Sequence, residues 1–438
     1  MRPFLLITPF FPPMSRIGAK RPLHFVRSMP EQGWDPIVFA APVMEDASDE
    51  TLEEAVPNNV NVYRWYAGPM RAYKHWAQSR GIAKKDPSAK PSAGGKGILS
   101  KTAKRLADKV SINPYFTPFD RYLWDVPTAI AAGLTLIRRH SPRAIYACGD
   151  PFTVFYTAVA LKKMTGLPLV LDLRDPWALH DGKMALRPAL TAKATHALEA
   201  ACFKRADKII LNTEGAKKRY VSHYAGVVDA DRFVAIRNSF DPELFQEVAL
   251  EPFDRFTVLY FGTLRPFVQM EDFLRGLRRF VDREALTAED IQVVVVGGIN
   301  DETLVAAEQL ELSDYLVTRP PISLRESMRY LRAADLLMLL NQDGTVLQIP
   351  GKFYDYLASG TPILALSTNE ETDRIVEETG VGVSVSPRDS EAIADALGQY
   401  FRAKRDGNAV SSDPERVSAY TARAAAQSLA KLLDEVSV

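Results

Sequence analysis

The sequence predicts an α/β protein with two doubly wound domains, each a parallel sheet covered by helices. Strand-length runs rich in Val, Ile and Leu recur along the chain, as expected of strands buried on both faces of a sheet. Segments with helical spacing of apolar residues separate these runs, and the alternation occurs twice. The 438 residues also exceed the size at which one hydrophobic core usually stops growing.

Apolar runs in the first half of the chain predict the strands of one sheet. These runs are Phe4–Phe11, Pro36–Ala41, Val60–Trp65, Ala144–Cys148, Leu167–Leu173, Lys208–Asn212 and Phe233–Arg237. Helical periodicity lies between them at Lys20–Gln32, Thr128–His140, Phe152–Thr165 and Pro188–Lys204. The first run follows a single Arg and leads into prolines, without a small-residue cleavage site. It therefore predicts a strand and not a signal peptide.

The second half repeats the pattern after a polar segment, 241–255, that carries two prolines. Strands are predicted at Thr257–Gly262, Gln292–Val296, Leu336–Leu340, Pro362–Leu366 and Gly382–Val385. Helices are predicted at Glu271–Arg283, Leu324–Ala333 and Glu391–Arg405, and Pro414–Val438 predicts one long closing helix. We assign 1–245 to an N-terminal domain, 246–410 to a C-terminal domain and 411–438 to the closing helix.

Composition excludes several classes of protein. Fifty-four Lys and Arg balance fifty-four Asp and Glu, so no overall charge attracts nucleic acid, and none is expected as a partner. The two cysteines, Cys148 and Cys202, rule out a disulfide framework or a Cys-rich zinc module and suit a reducing compartment. No apolar stretch is long enough to span a membrane. We expect a cytoplasmic protein.

A basic segment at about 71–110 interrupts the first domain. Its part 86–97, DPSAKPSAGGKG, has no periodicity and predicts a flexible loop. An aromatic cluster follows at Tyr115, Phe116, Phe119, Tyr122 and Trp124. One interpretation is a solvated insertion followed by core aromatics. The other is a basic and aromatic surface that meets anionic lipid headgroups or a charged lipid-linked substrate.

Ligands of open parallel sheets bind beyond the carboxyl ends of the strands, so residues just after strands are candidates for a site. In the first half these include Arg174 and Asp175. In the second half they are Gly262, Thr263 and Arg265. Gly297–Gly298 also follows a strand, but it lacks the full glycine pattern of a dinucleotide site. Proximity to a phosphate is reasonable there, whereas NAD is not expected.

The stretch 341–364, NQDGTVLQIPGKFYDYLASGTPIL, carries the most information. Pro350 suits the first position of a helix, and Gly351 lets a ligand approach the backbone closely. The amides of a helix N-terminus attract phosphate, and Lys352 adds a mobile cation there. Asp355 lies three residues on along the same face, where its carboxylate can accept hydrogen bonds from a ribose diol. Alone, this Lys–Asp spacing is equally that of an exposed ion pair worth only about 0.3 kcal/mol.

Several stretches resemble family 4 glycosyltransferases of the GT-B fold. PGKFYDYLASGTPILA, after a late strand of the second domain, resembles their donor-site helix. The further resemblances, in the family's order, are VLDLRDPW at 170–177, KRADKIILNT at 204–213, RNSFDPELF at 237–245 and LYFGTLRPF at 259–267. The closing SAYTARAAAQSLAKLL is similar to the last helix of the family, which crosses back onto the first domain.

The resemblance implies a nucleotide-sugar donor held mainly by the second domain, an acceptor held by the first, and reaction in the cleft between them. It implies transfer with retention at the anomeric carbon, with no cofactor and no metal. Asp355 takes the place of the ribose-binding acid, and Arg265 that of the basic residue facing the diphosphate. Gly262, Thr263, Gly351 and Lys352 complete the donor set.

On the first domain, Gly18 resembles the glycine of the loop near donor and acceptor. Arg16 precedes it, and with Lys20 and Arg21 it makes this loop basic. Arg174 and Asp175 are placed to contact the acceptor or the transferred sugar, and His180 lies within reach of the sugar. We expect Arg265, Lys352 and Asp175 to take part in catalysis, and Arg16, Arg174, Asp175 and His180 to form the acceptor side.

The chain departs from the family pattern at Leu347 and at residues 267–269. Leu347 stands where an acidic residue commonly lies, eight positions before the ribose carboxylate. Residues 267–269 lack the usual second cation, which Lys352 replaces from another element. These departures concern the sugar contacts more than the nucleotide site.

The chain is expected to be a retaining hexosyltransferase of cell-envelope polysaccharide assembly. It would act on a glycan or lipid-linked acceptor and make peripheral contact with the inner membrane. Two alternatives stay open. One is a nucleotide-sugar epimerase of the same fold, which needs paired carboxylates or a histidine around the sugar. The other is a non-catalytic member that binds a glycan or a partner, an alternative suggested by Leu347.

Overall fold

A computed structural model describes residues 1–14, 17–43, 50–69, 72, 116–245, 252–264, 270–322, 324–341, 347–408 and 413–437. The chain divides into two compact units. Unit 1 comprises Met1–Asn212, Lys217–Ile236 and Ala426–Val438, and unit 2 comprises Thr213–Ala216 and Arg237–Ala425. Nearly all of the basic segment 71–110, together with Arg16 and Arg265, lies outside the described residues.

Unit 1 contains a seven-stranded parallel sheet. In chain order its strands are β1 (Arg2–Thr8), β2 (Trp34–Ala40), β3 (Asn61–Arg64), β4 (Ile145–Gly149), β5 (Leu169–Leu173), β6 (Lys208–Leu211) and β7 (Phe233–Ala235), arranged β3-β2-β1-β4-β5-β6-β7. Its helices are α1 (Lys20–Ser28), α2 (Glu50–Glu54), α3 (Val126–His140), α4 (Val154–Thr165), α5 (Asp181–Ala185), α6 (Ala189–Phe203) and α7 (Glu214–His223), whose first turn is grouped with unit 2. The strand order reverses between β1 and β4, where Leu5 lies opposite Ile145.

Unit 2 contains a six-stranded parallel sheet of the same kind. Its strands are β8 (Phe256–Phe261), β9 (Ile291–Val296), β10 (Leu316–Arg319), β11 (Leu336–Asn341), β12 (Ile363–Ser367) and β13 (Gly382–Val385), arranged β10-β9-β8-β11-β12-β13. Its helices are α8 (Glu271–Glu284), α9 (Asp301–Gln309), α10 (Leu324–Ala333), α11 (Gly351–Ser359), α12 (Glu370–Thr379), α13 (Ser390–Arg405) and α14 (Pro414–Ser418). The last helix, α15 (Ala422–Val436), begins in unit 2 and belongs to unit 1 from Ala426 onward. The predicted fold class, two doubly wound sheets, is confirmed.

Strand β10 and helix α9 are among the elements that were not predicted from the sequence. Strand β10 is short and lies at the sheet edge, where Thr318 and Arg319 are exposed, so it forms no continuous apolar run. Helix α9 is marked by a cap that could have been recognised. The side chain of Asn300 accepts a hydrogen bond from the Thr303 backbone N–H, which is a common signal for a helix start.

The closing segment is not the single helix that periodicity predicts. It forms α14 and α15, separated by residues 419–421. Phe240 pairs with this interruption through its backbone: its N–H donates to Tyr420 O at 3.1 Å, and its carbonyl accepts from Ala422 N–H at 2.7 Å. A backbone bridge to a distant residue replaces helical hydrogen bonds here, and no local pattern encodes such a bridge.

Helix α11 is fixed by the apolar layer beneath it. Phe353, Tyr356 and Leu357 are buried against one face of the unit 2 sheet. The hydroxyl of Tyr356 accepts a hydrogen bond from Phe261 N–H at 3.0 Å. This bond ties α11 to the end of β8 and so determines where the helix N-terminus lies relative to that strand.

Arg21 does not add surface charge to the loop near Gly18, as the sequence analysis expected. Its guanidinium is buried, with Nε 2.7 Å from Asp172 Oδ2 and Nη2 donating to Ile236 O at 2.9 Å. Tyr146 donates a further hydrogen bond to the same carboxylate oxygen. Two buried opposite charges neutralise each other, so Arg21 is part of the core of unit 1.

Among the described residues, no helix is long and apolar enough to cross a membrane. Both cysteines are buried and unpaired with each other.

Candidate active site

In unit 2 the strand order reverses between β8 and β11, and the candidate donor residues follow these two strands. A crevice opens at such a switch point because the connections leave the neighbouring strands in opposite directions. Gly262 and Thr263 follow β8 directly. On the other side, β11 leads through residues 347–350 into α11.

The turn after β8 is built on close backbone contact between glycines. Gly262 N–H donates to Val296 O at 2.8 Å, and Leu264 N–H donates to Gly298 O at 2.7 Å. Gly262 and Gly297 both have φ +133°, a conformation that side chains rarely adopt. A Cβ on Gly297 would lie 2.5 Å from Gly262 O. The Gly297–Gly298 pair therefore supports the loop that carries Gly262 and Thr263.

Helix α11 presents uncapped amides at its start. Pro350 is the N-cap residue, and among the described residues no side chain caps the first turn. Phe353 N–H donates to Pro350 O at 2.9 Å, whereas the N–H groups of Gly351 and Lys352 precede the first helical hydrogen bond, and the helix dipole places partial positive charge there. Gly351 adds no side chain to this end. The start of α11 can therefore receive an anionic group.

Lys352 lies between the start of α11 and the end of β8. Its Nζ is 3.6 Å from the ring centroid of Tyr260, and a Cβ on Gly262 would be 3.3 Å from the same atom. Among the residues that the structure describes, no carboxylate forms an ion pair with this ammonium. Burial lowers the pKa of Lys352 to about 7. The fold thus holds a cation that is poorly compensated and that gains from a bound anion.

Asp355 and Leu347 occupy the remaining donor positions. Asp355 is partly buried on α11, one turn after Lys352. Leu347 is partly buried ahead of the helix, next to Gln348, whose carbonyl accepts from the Asn369 side chain at 3.3 Å. Leucine has no polar atom for a sugar hydroxyl at this place. A donor sugar would have to find its side-chain hydrogen bonds elsewhere.

In unit 1 the structure brings Gly18 and Arg174 together. A Cβ on Gly18 would lie 1.9 Å from Nη1 of Arg174, so only glycine leaves room for the guanidinium. Arg174 Nε donates to Gly149 O at 3.2 Å, and Asn212 Nδ2 donates to Arg174 O at 2.9 Å. These contacts hold the arginine at the carboxyl end of β5. The assignment of Arg174 to the acceptor side stays a prediction.

Asp175 and His180 lie on the loop between β5 and α5. His180 caps α5, since its Nδ1 accepts a hydrogen bond from Lys183 N–H at 3.3 Å. In the neutral ring the hydrogen is then on Nε2, which makes that atom a donor. Burial and the nearby Lys183 lower the pKa of His180, and the charge of Asp175 partly offsets this. The lowered pKa favours the neutral ring of His180, in which Nε2–H is a hydrogen-bond donor.

The predicted residues form two groups, each assembled within one unit. Gly18, Arg174, Asp175 and His180 belong to unit 1, whereas Gly262, Thr263, Gly351, Lys352 and Asp355 belong to unit 2. Tyr260 was not predicted as a site residue, although it lies two positions before Gly262 in the stretch LYFGTLRPF. Within the described ranges, no group of three or more His, Cys, Asp or Glu side chains is arranged to hold a metal ion.

Two models of glycosyltransferase families match the chain, one in each half. The model of glycosyl transferases group 1 matches residues 255–402, and that of glycosyltransferase family 4 matches residues 97–244, together about two thirds of the chain. No curated protein matches the sequence significantly.

Solved structures extend the likeness over the whole length of the chain. The fold is similar to that of sucrose-phosphate synthase from Thermosynechococcus elongatus, with TM-score 0.62, 15% identity and 99% of each chain covered. It is also similar to Anabaena HepE in complex with UDP and glucose, with TM-score 0.61, 14% identity, and 99% of this chain and 100% of that chain covered. The lipopolysaccharide outer core galactosyltransferase WaaB gives TM-score 0.57 at 10% identity, with 99% of each chain covered. At these identities the likeness concerns the fold. Together with the two family matches, it shows that the chain belongs to the family 4 glycosyltransferases and is a transferase of the GT-B fold.

Proposed function

We propose that this enzyme moves a hexose, with retention, from a nucleoside-diphosphate sugar to a glycan or lipid-linked acceptor of cell-envelope polysaccharide assembly. The observation that carries the donor half is the placement of Lys352. Its ammonium lies over Tyr260 and beside Gly262, at the uncapped start of α11. Positive charge, free amides and a glycine-lined approach are what a diphosphate requires.

The leaving group determines the roles of the donor residues. Cleavage of the anomeric C–O bond leaves negative charge on the departing diphosphate. Lys352 and the amides near Gly351 stabilise that charge, and Arg265 adds a second cation after β8. Electrostatic stabilisation of this kind is usually the largest contribution to catalysis. Asp355 accepts hydrogen bonds from the ribose hydroxyls, one turn along α11 from Lys352.

The acceptor residues orient the attacking hydroxyl. It approaches on the face from which the diphosphate leaves, and its proton passes to the departing phosphate oxygen. Arg174 and the Nε2–H of His180 serve as donors to sugar or acceptor oxygens, and Asp175 accepts from a hydroxyl. Gly18 leaves the space that Arg174 occupies, and Arg16 precedes it in the chain. No dedicated base and no metal is needed on this route.

The donor class is supported by HepE, which has been solved with UDP and with UDP-glucose. UDP-glucose is therefore the first donor to test, beside GDP-, ADP- and dTDP-sugars in a thermal-shift panel. One nucleotide should raise the melting temperature of the wild type, and Asp355→Ala should lose that shift. Lys431→Ala removes an exposed charge on α15 and should keep it. A panel in which no nucleotide shifts the wild type would refute the donor assignment.

Two further measurements separate this activity from its alternatives. NMR of the donor incubated with enzyme alone would reveal an epimer if the chain were an epimerase. Donor binding without turnover across a broad acceptor panel would indicate a non-catalytic member. If transfer occurs, addition of EDTA should leave its rate unchanged, because Lys352 and Arg265 supply the charge that a metal would otherwise provide.

Peripheral contact with the cytoplasmic face of the inner membrane is supported by exposed apolar side chains in unit 1. Phe116, Leu186 and Leu190 are 68%, 63% and 81% exposed. The Thr191 hydroxyl donates to Phe116 O at 3.0 Å, which brings the loop of Phe116 against the start of α6. Exposed apolar side chains of this kind are typical of surfaces that meet a partner or a membrane. Flotation with vesicles rich in phosphatidylglycerol should recover the wild type, and Phe116→Ser combined with Leu190→Ser should weaken recovery.

A further inference from the structure

The loop after β5 is anchored to a buried carboxyl group that the proposed chemistry does not use. Glu199, on α6, has 0% exposure. Its Oε1 accepts from Ala178 N–H at 3.0 Å and from the Tyr220 hydroxyl at 3.1 Å, and its Oε2 accepts from the Tyr224 hydroxyl. Tyr220 Oη in turn accepts from Trp177 N–H at 2.9 Å. Two consecutive backbone amides of the loop therefore end on one buried cluster.

The side chains of the same loop are fixed as well. The Trp177 ring stacks on Phe152, with centroids 4.9 Å apart and an interplanar angle of 11°. Trp177 and Ala178 lie between the two acceptor-side residues Asp175 and His180. Asp175 and His180 are each two residues away from this restrained pair. Restraint of the backbone at Trp177 and Ala178 therefore limits the positions of Asp175 and His180.

The geometry points to Glu199 and Tyr220 as positioning residues of the acceptor side: they hold Trp177 and Ala178, and through them orient Asp175 and His180. The role of the loop in acceptor binding rests on the proposed function, whereas the anchoring of the loop by Glu199 and Tyr220 does not depend on it. Burial of a carboxyl group costs free energy unless the group is hydrogen-bonded, and three donors form hydrogen bonds to the carboxyl group of Glu199. The buried acid thus anchors the part of the loop that lies between Asp175 and His180.

The buried surroundings of Glu199 favour the neutral form of its carboxyl group. The titratable groups that face it are Tyr220 of α7, Tyr224 directly after that helix and Cys202 on its own helix, and no cation faces it among the described residues. Burial raises the pKa of Glu199 to about 7. Glutamine reproduces the neutral acid in size and in its acceptor oxygen. Glu199→Gln should therefore preserve the anchoring, and Glu199→Leu should remove it.

The two tyrosines provide a matched pair of variants. Tyr220→Phe removes the hydroxyl that joins Trp177 N–H to Glu199. Tyr224→Phe removes a hydroxyl that touches Glu199 but not the loop. Both are buried and each loses one oxygen, so both should lower the melting temperature by similar amounts. Only the first should release the loop.

Hydrogen exchange of the peptide covering 174–181 tests the anchoring without any substrate. Exchange should be about tenfold faster in Tyr220→Phe and Glu199→Leu, and unchanged within about twofold in Tyr224→Phe and Glu199→Gln. Equal protection in Tyr220→Phe and Tyr224→Phe would overturn the inference, whatever the enzyme does.

Activity then tests the link to the acceptor, with n-octyl β-glucoside as the probe acceptor and UDP-glucose as donor. Tyr220→Phe should raise the acceptor KM about tenfold with donor affinity unchanged, and Glu199→Gln should behave as the wild type. An unchanged KM in Tyr220→Phe would overturn the positioning role. Absence of wild-type transfer to any acceptor would instead count against the proposed function, and exchange alone would then decide the anchoring.

Discussion

Binding of the donor should be linked to protonation of Lys352. Burial lowers the pKa of this ammonium to about 7, and no carboxylate among the described residues pairs with it. A bound diphosphate brings negative charge next to Nζ and raises the pKa of Lys352 toward its ordinary value of 10.5. Above pH 7 the free enzyme has lost the proton that the complex keeps. Binding must therefore take up a proton, and affinity must fall as pH rises.

The magnitude follows from the two pKa values. Between pH 6 and pH 8.5 the donor dissociation constant should increase about 30-fold, equivalent to about 2 kcal/mol, if the lysine stays charged in the complex. At pH 8 about 0.9 proton should be taken up per donor bound. A nucleoside-diphosphate sugar suits the measurement because its phosphates are fully ionised throughout this range.

Calorimetry of UDP-glucose binding in two buffers with different ionisation enthalpies measures the proton uptake directly. Lys352→Met should bind weakly, with no proton uptake and little dependence on pH, and its unliganded form should melt at a higher temperature because a buried amine has been removed. Lys431→Ala is the control and should keep the wild-type slope. A wild-type dissociation constant that is constant from pH 6 to 8.5 would refute the placement of Lys352 against the diphosphate.

Further predictions concern Asp355, Glu199 and Gly297. Asp355→Asn keeps the size of the side chain but removes its charge, so donor affinity should fall by about 10- to 100-fold in calorimetry, whereas Asp301→Asn, on exposed α9, should leave it unchanged. The pKa of Glu199 is raised from 4.5 to about 7 in the folded protein, so the folded state binds more protons than the unfolded chain between these values. Stability should therefore fall as pH rises from 4.5 to 7, by up to about 3 kcal/mol from this group, and urea unfolding of Glu199→Gln should lack that part of the slope. Gly297→Ala places a Cβ 2.5 Å from Gly262 O at φ +133° and should lower the unfolding free energy by about 2–4 kcal/mol and abolish the thermal shift with donor. Gly380→Ala, at φ +63° with open space around it, should cost only about 1 kcal/mol and retain the shift.

Much of the fold could be predicted because it depends on local patterns. Buried strands such as β9, with its run of valines, need apolar residues on both faces, and this requirement is visible in the sequence. The start of α11 was equally predictable from Pro350 and the end from Gly360, since both residues have strong backbone preferences. Strand β10 escaped prediction because an edge strand needs no continuous apolar run.

Some residues of the candidate site could likewise be identified from the sequence, and others could not. Lys352, Asp355, Arg174 and His180 could be found in the sequence because they follow strands or occupy a helix start. The role of Arg21 could not be found, because its partner Asp172 lies far along the chain and only folding brings the two together. The same is true of Glu199, an ordinary polar position on α6 until Tyr220, Tyr224 and Ala178 surround it.

Local backbone preference and the alternation of apolar segments were therefore sufficient to identify the two sheets, the donor helix and the family resemblance. Which charges are exposed, neutralised or left uncompensated was decided by tertiary packing alone. Arg21 and Lys352 are both basic residues near glycines, yet one is paired in the core and the other lies over a tyrosine ring with its pKa lowered. The free energy of a charge depends on the solvent and the partners around it, and these are properties of the folded chain.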